Sequence, residues 1–291
     1  MRKILITGYR GQIGSLLITK LLKKGYDVIG IDKRNIDFFN IEKFQGKKLK
    51  LYELDLSKEP NIDLSDVDVF IPLAAIVSNS NNIKDTKDMI HCNIMTIINI
   101  LPLMKNLKQI IFPSSMMFYG EPIKSPIKEN HPTNTKCIYG ASKLYAEHLL
   151  FTLLKEINVS VLRIAAVYGT GNYGGDRANS FIPNLLKAIE TKEPIHLFGE
   201  IYNKRDYVDA EDVAEAIYLS IKKPFNGVLN IGSGKGISPN ELAKPFKVKK
   251  EKIKKTHKDY TLNISKARRL INYIPKGDIK DELIRKMQSL R

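Results

Sequence analysis

The stretch "ITGYRGQIGS" at residues 6–15 places three glycines where an apolar run meets a segment with helical spacing. The glycines follow a GxxGxxG spacing, which allows a tight turn and a close approach of the backbone to a bound group. The helix that follows points its N-terminus at a pyrophosphate in such loops. The residues of the predicted phosphate-binding loop are Gly8, Arg10, Gly11, Gln12, Ile13 and Gly14.

Apolar runs alternate with helix-like segments through the first part of the chain. Runs such as "KILITG", "DVIGID" and "VDVFIPLAA" are almost continuously apolar, and "SLLITKLLKKG" between the first two has helical periodicity. Strands that are apolar on both faces belong to parallel sheets covered by helices. We therefore predict a doubly wound, Rossmann-type α/β fold with a smaller C-terminal α+β lobe. The predicted dinucleotide-binding domain is 1–169 plus part of 200–235, and the predicted substrate-binding lobe is 170–291.

An acidic residue, Asp32, ends the second predicted strand. A carboxylate at this position accepts hydrogen bonds from the ribose hydroxyls of NAD and repels the 2′-phosphate of NADP. Lys33 and Arg34 follow it directly, and Arg10 lies in the glycine loop. These cations either hold a 2′-phosphate or balance the charge of Asp32. We predict NAD as the cofactor, with NADP as the alternative.

A second pattern, "YGASK", begins a predicted helix at Tyr139 and places Lys143 one turn later. Residues four apart share a helix face. In a closed site the ammonium would lower the pKa of the phenol, and the tyrosine would then serve as an acid or base near neutral pH. The alternative is a tyrosine packed on the core and a lysine in water. The two residues by themselves do not decide between these interpretations.

The formal net charge of +16 raises the question of polyanionic partners. The dense basic run at residues 246–258 lacks interleaved aromatics, and we interpret it as an exposed face and expect no nucleic-acid partner. No apolar stretch reaches the roughly eighteen residues of a membrane span, so no membrane partner is expected. The two cysteines, Cys92 and Cys137, lack metal-type spacing and indicate a reducing, cytoplasmic location without a metal site.

Taken in order, several motifs resemble those of one family over nearly the full chain. The motifs are "TGYRGQIG", "DL" at 55–56, "LAA" at 73–75, "PSSMMFYG", "YGASK", "RIAAVYG", "RDYVDAEDVAEAI" and "NIGSGKGIS". The sequence thereby resembles the extended short-chain dehydrogenase/reductases, the NAD-dependent epimerase/dehydratase family, whose members modify nucleotide sugars. The resemblance implies a nucleotide-diphospho-sugar substrate and a homodimer formed through the long helix and the YxxxK helix.

The resemblance also implies roles for individual residues. Ser115, Tyr139 and Lys143 would form the catalytic triad, in which Ser115 hydrogen-bonds the substrate oxygen and Tyr139 takes the proton of a sugar hydroxyl. Lys143 would hold the nicotinamide ribose and lower the pKa of Tyr139. The implied substrate contacts are Ser115, Met116 and Arg205, with Arg205 on the diphosphate. The remaining implied cofactor contacts are Asp55 and Leu56 near adenine, and Leu73, Ala74 and Ala75 near the nicotinamide.

One departure from the family pattern narrows the expected reaction. Dehydratases of the family have Asp–Glu after the hydroxyl residue, whereas this chain has Met116 and Met117, which cannot donate protons. We expect an NAD(P)-dependent oxidoreductase acting at C4 of the sugar, and foremost a 4-epimerase. The alternatives are an NAD(P)H-dependent 4-ketoreductase and, with less support, a 4,6-dehydratase or a non-catalytic NAD(P)-binding regulator.

Overall fold

The structure is a computed structural model that describes residues 2–33, 40–78, 82–169 and 181–289. Its strands are β1 (Lys3–Thr7), β2 (Asp27–Asp32), β3 (Leu49–Glu53), β4 (Val69–Pro72), β5 (Gln109–Ser115), β6 (Asn158–Ile164), β7 (Ala166–Tyr168), β8 (Ile195–Gly199), β9 (Lys204–Asp209), β10 (Gly227–Ile231), β11 (Gly236–Ile237), β12 (Val248–Ile253) and β13 (Asp259–Tyr260).

The α-helices are α1 (Gln12–Lys23), α2 (Ile83–Ile90), α3 (Thr96–Ile100), α4 (Ile138–Leu153), α5 (Phe181–Thr191), α6 (Ala210–Lys222), α7 (Pro239–Leu242), α8 (Ser265–Ile271) and α9 (Ile279–Ser289). Three short 3₁₀ helices span Ile41–Phe44, Leu101–Leu103 and Met116–Tyr119, and one π-helical turn spans His91–Met95. None of the helices in the described part of the chain combines the length and apolar character needed to cross a membrane.

Seven parallel strands form the central sheet in the order β10-β6-β5-β4-β1-β2-β3. Both faces of the sheet are covered by helices, and successive side chains of a strand point to opposite faces. Ile4 and Ile6 of β1 belong to the core beneath α1 and α6, whereas Leu5 belongs to the core beneath α3 and α4. The predicted doubly wound α/β fold is therefore confirmed.

The second lobe contains two smaller sheets. In the first, β9 lies between β11 and β13 and also pairs with β7, and in the second β12 pairs with β8. A separate apolar cluster around Tyr168, Leu185, Leu197 and Tyr207 fills this lobe. β7 follows β6 after one residue, so the chain leaves the central sheet at Ala165. It returns through α6 and β10, which adds the last strand beside β6.

The helical stretch that follows β4 is interrupted in the structure. It runs as α2, the π turn and α3, and a 3₁₀ turn with Pro102 follows it. Single π turns in helices occur frequently at functional sites. The turn contains Asn93, whose side chain is 1% exposed.

Candidate active site

The glycine loop brings β1 and α1 against the end of β4. Gly8 has φ +71°, and a Cβ atom on it would lie 2.6 Å from the nitrogen of Ala74. A Cβ atom on Gly14 would lie 2.7 Å from the carbonyl oxygen of Gly8. Both positions therefore require glycine. Gly11 is the N-cap of α1 and supplies no side-chain cap, so the N–H groups of the first turn have no partner from a capping side chain.

Two further loop residues contact the protein itself. Gln12 is buried, and its side-chain amide donates a hydrogen bond of 3.0 Å to the carbonyl oxygen of Gly169. Ile13 is partly buried and packs on the core beneath α1. Gln12 thus links the glycine loop to the segment after β7, a contact that the sequence pattern did not indicate.

Asp32 lies at the end of β2, beside the loop. It is 6% exposed, and its Oδ2 accepts a hydrogen bond of 3.1 Å from the main-chain nitrogen of Arg10. The guanidinium of Arg10 contacts two other carboxylates, at 2.6 Å from Glu42 and 3.2 Å from Glu53. Arg10 therefore balances Glu42 and Glu53 with its side chain and contacts Asp32 through its backbone.

Lys33 and Arg34 follow Asp32 in the chain. The side chain of Lys33 is exposed. Arg34 lies outside the described residues. The structure thus places one of the two predicted neighbouring cations in solvent.

The predicted adenine contacts lie after β3. Asp55 is exposed, and its carboxylate accepts a hydrogen bond of 3.0 Å from the main-chain nitrogen of Ser57, which lowers the pKa of Asp55. Leu56 is 4% exposed and packs in the core beneath α3 and α4. Both follow the carboxyl end of a parallel strand, where ligands bind in open α/β sheets.

The predicted nicotinamide contacts lie after β4. Leu73, Ala74 and Ala75 are half-buried. The main-chain nitrogen of Leu73 donates a hydrogen bond of 3.0 Å to the carbonyl oxygen of Thr7, at the end of β1. These residues therefore border the glycine loop at the same edge of the sheet.

The residues of the predicted triad lie on two neighbouring elements. Ser115 is the last residue of β5, is 7% exposed, and accepts a hydrogen bond of 3.1 Å from the main-chain nitrogen of Met117. Tyr139 is half-buried in the first turn of α4, after Cys137 caps the helix through its Sγ. Lys143 is 4% exposed, so the solvated-lysine interpretation is wrong.

Lys143 is buried beside an aromatic ring and a main-chain carbonyl. Its ammonium lies 4.9 Å from the ring centroid of Phe112 and donates a hydrogen bond of 3.0 Å to the carbonyl oxygen of Pro113. Burial lowers the pKa of Lys143 to about 8, while Cys92 and Glu147 act in the opposite direction. A lysine in this environment exchanges its proton close to neutral pH.

Asn93 fixes the loop after β4 to the lysine helix. Its Oδ1 accepts from the nitrogen of Ile76 at 2.8 Å, and its Nδ2 donates to the oxygen of Ile76 at 3.1 Å and to Oγ of Ser142 at 3.0 Å. Ser142 directly precedes Lys143. Asn93 is therefore a buried residue that joins two elements, and not a residue of the helix surface.

A buried polar network behind the site was missed from the sequence. Glu147 is paired with Arg163 at 2.8 Å and accepts a hydrogen bond from Ser114. Arg163 also donates a hydrogen bond of 3.0 Å to the hydroxyl of Tyr119. Burial raises the pKa of Tyr119 to about 12. The network joins α4, β5 and β6 next to Ser115. No local pattern predicts it, because its members are far apart in the chain.

Arg205, a predicted substrate contact, lies on β9. Arg205 is exposed, and its guanidinium lies 5.8 Å from the ring centroid of Tyr260. Tyr207 points to the same side of β9 two residues later. It borders a cavity of about 320 Å³ whose lining includes Ser233, Lys235, Glu241 and Asp278. Met116 is half-buried, packs on the central core and begins the 3₁₀ helix after Ser115.

The hydroxyl of Tyr207 is buried and makes no hydrogen bond within the described residues. A buried polar group without a partner is costly, and a ligand is one way to satisfy it. The described residues also contain no cluster of His, Cys, Asp or Glu suited to a metal ion. The site therefore offers hydroxyl groups, amides and cations as its chemistry.

Comparison with known proteins agrees with this arrangement. The profile of the NAD dependent epimerase/dehydratase family matches residues 4–232. A putative UDP-glucose 4-epimerase of Methanocaldococcus jannaschii is 34% identical over 82% of this chain and 79% of its own length. The UDP-glucose 4-epimerase of Bacillus subtilis is 29% identical over 84% of this chain and 80% of its own length.

Solved structures show the same similarity. The UDP-glucose 4-epimerase of Thermotoga maritima with UDP-glucose is 26% identical, with a TM-score of 0.86 over 98% of this chain and 97% of its own. The UDP-glucuronic acid 4-epimerase of Bacillus cereus with UDP-glucuronic acid and NAD is 28% identical, with a TM-score of 0.84 over 99% of this chain and 98% of its own. The similarity thus extends over both lobes.

Proposed function

This chain belongs to the NAD dependent epimerase/dehydratase family, and on that premise we propose that it inverts C4 of a UDP-hexose with NAD as its cofactor. The observation that carries the proposal is the buried Lys143, which lies one helical turn after Tyr139 and beside the end of β5 that carries Ser115. The pattern supplies one acid/base group and no second proton donor after Ser115.

The residues of the glycine loop fit a bound dinucleotide. Gly8 and Gly14 leave room that a Cβ atom would fill, and Asp32 ends β2 where a ribose hydroxyl donor would lie. The neighbouring epimerase of Bacillus cereus has NAD bound. NAD, when bound, would accept a hydride from C4 of the sugar and return it to the opposite face of the 4-keto carbon, and this change of face inverts C4.

The chain's own residues perform the proton transfer. Tyr139 takes the proton of the 4-hydroxyl as its base and returns a proton to the 4-keto oxygen as its acid. Ser115 holds that oxygen by a hydrogen bond from its Oγ. Lys143 favours the phenolate of Tyr139 while it is protonated, because a nearby cation stabilises an anion.

The diphosphate of the substrate would bind at Arg205. An exposed guanidinium offers paired donors to phosphate oxygens. The cavity at Tyr207, on the same side of β9, would then take the nucleoside, and its unpaired hydroxyl would gain a partner. The curated relatives and neighbours named above act on or contain UDP-sugars.

The experiment is an assay of purified protein with UDP-glucose, UDP-galactose and UDP-glucuronic acid, without added cofactor. Products are separated by ion-exchange chromatography, and the denatured supernatant is analysed for NAD by mass spectrometry. We expect conversion at C4 and retained NAD. Turnover only of 4-keto sugars with added NAD(P)H would instead identify a ketoreductase, and cofactor binding without any turnover would identify a regulator.

We also propose that the protein forms a homodimer through α2 and α4. Large apolar side chains are exposed on these helices, with Tyr145 and Leu153 both 56% exposed and Ile90 43% exposed. A paired surface would remove them from water. Light scattering should give twice the mass of the chain, and Tyr145→Glu with Leu153→Glu should give the monomer.

The cytoplasm is the proposed location. Cys92 and Cys137 are both free thiols, which suits a reducing compartment. Fractionation of cells that express the tagged full chain should recover it with cytosolic markers. Recovery with envelope proteins would contradict this.

A further inference from the structure

The guanidinium of Arg10 is held between two acidic side chains at the edge of the glycine loop. It is 6% exposed, whereas the side chains of Glu42 and Glu53 are 54% and 56% exposed. Glu53 is the register partner of Asp32 across β2 and β3. Three carboxylates, two from neighbouring strand ends and one from the 3₁₀ helix, therefore surround Arg10.

The position of Asp32 indicates where the ribose of a dinucleotide would lie. A carboxylate that ends the second strand binds the 2′-hydroxyl of NAD, and a nearby arginine accommodates the 2′-phosphate of NADP. Arg10 is such an arginine by position, because its main-chain nitrogen contacts Asp32 at 3.1 Å. Its charge, however, is already balanced by Glu42 and Glu53.

We propose that Glu42 and Glu53 are cofactor-selecting residues that bind Arg10 and so prevent it from accepting the 2′-phosphate of NADP. The inference rests on the proposed function, since it assumes that the glycine loop holds a nicotinamide dinucleotide. The sequence left the choice between NAD and NADP open. The inference attributes that choice to two residues that lie outside the family motifs.

One atom supports a ligand at this position. Nε of Arg10 is buried and has no hydrogen-bond partner within the described residues. The two carboxylates occupy the terminal nitrogens and leave this N–H directed elsewhere. A buried donor without a partner in the protein requires an explanation, and a water or a ligand oxygen is one. A ribose oxygen meets that need without the charge of a phosphate.

If Glu42 and Glu53 have a purely structural role, a different result is expected. If Glu42 and Glu53 only fasten the 3₁₀ helix and β3 to the glycine loop, their removal lowers stability and weakens both cofactors equally. If they select the cofactor, their removal frees Arg10 and changes the ratio of the two affinities. The ratio therefore separates the two roles.

The test is a fluorescence titration of cofactor-stripped protein with NADH and with NADPH. The variants are Glu42→Gln/Glu53→Gln and the same pair combined with Arg10→Gln. The control is Glu156→Gln/Glu193→Gln, which removes the same charge from two exposed sites. We expect NADPH affinity to rise about tenfold in the first variant, as for a gained charge-assisted bidentate contact, and to fall again in the second.

The outcomes separate this inference from the proposed function. An unchanged ratio of NADH to NADPH affinity in the Glu42/Glu53 double variant would overturn the inference. An equal gain of NADPH affinity in the control would do the same. Neither result would contradict the proposed epimerase activity. A wild-type preference for NADPH would also overturn the inference. Absence of binding to either dinucleotide would remove the proposed function together with the inference. A changed ratio of the two cofactor affinities without any turnover of sugar nucleotides would support the role of Glu42 and Glu53 and would contradict only the proposed epimerase activity.

Discussion

The ammonium of Lys143 donates a hydrogen bond of 3.0 Å to the main-chain carbonyl of Pro113, two residues before Ser115. This contact joins the middle of the second turn of α4 to the end of β5. It places the cation of the YxxxK pattern and the hydroxyl of the β5 end in one buried region.

The free energy of unfolding should increase with pH in the alkaline range because of Lys143. Its pKa is lowered from 10.5 to about 8 by burial, so the unfolded chain binds more protons between these two values. The free energy of unfolding should therefore rise by about 3 kcal/mol between pH 8 and pH 10.5 relative to Lys143→Met. Urea unfolding of cofactor-free protein at several pH values measures this. Parallel pH profiles of the two proteins would contradict it.

Tyr139→Phe should reduce kcat by about 10²–10⁴-fold, because the phenol oxygen that exchanges the proton is removed. NADH binding should stay within about twofold, since the ring remains in place. Chromatographic assay of C4 inversion and NADH titration measure the two effects. Tyr145→Phe is the matched control, because Tyr145 lies on the exposed side of the same helix. Equal activity of the two variants would refute the role of Tyr139.

Arg163→Met should destabilise the fold by about 3–5 kcal/mol, because it leaves the carboxylate of Glu147 buried and unpaired. Arg285→Met removes a surface ion pair between an exposed guanidinium and the half-buried Glu282, and should cost less than about 1 kcal/mol. Chemical denaturation of both variants gives the comparison. Similar losses in the two would mean that the buried network contributes no more than a surface pair.

Gly8→Ala should lower the melting temperature and abolish NADH binding. The new methyl group would meet the backbone of Ala74, and φ +71° would cost an alanine about 1 kcal/mol or more. Gly46→Ala meets no atom within 4 Å and should leave both quantities almost unchanged. Normal NADH affinity in Gly8→Ala would show that the loop does not approach the cofactor.

Local patterns in the sequence predicted the elements that depend on near neighbours. β1 and α1 follow from an apolar run, three glycines and a helical repeat, all within about twenty residues. The YxxxK helix is equally local, since its cap at Cys137 and both motif residues lie in one segment. Such signals need no knowledge of the rest of the chain.

Contacts between distant parts of the chain could not be predicted in this way. Arg10 was expected to face a 2′-phosphate or Asp32, yet its side-chain partners lie 32 and 43 residues away. The chain leaves the central sheet at Ala165 because β7 pairs with β9, some forty residues later in the sequence. These features arise from packing of the folded chain, which a single sequence does not specify locally.

The last strand of the central sheet, β10, is added only after β7, α5, β8 and β9 of the smaller lobe have been made. On the ribosome, β6 must therefore wait as an open edge while more than sixty residues of chain emerge, as the spacing from Ile164 to Gly227 requires. A chain cut after β7 would keep that edge permanently, with its N–H and C=O groups ready to pair with another molecule. Neither lobe is therefore a single contiguous stretch of chain, and a cut at any one point between β7 and β10 leaves the central sheet incomplete.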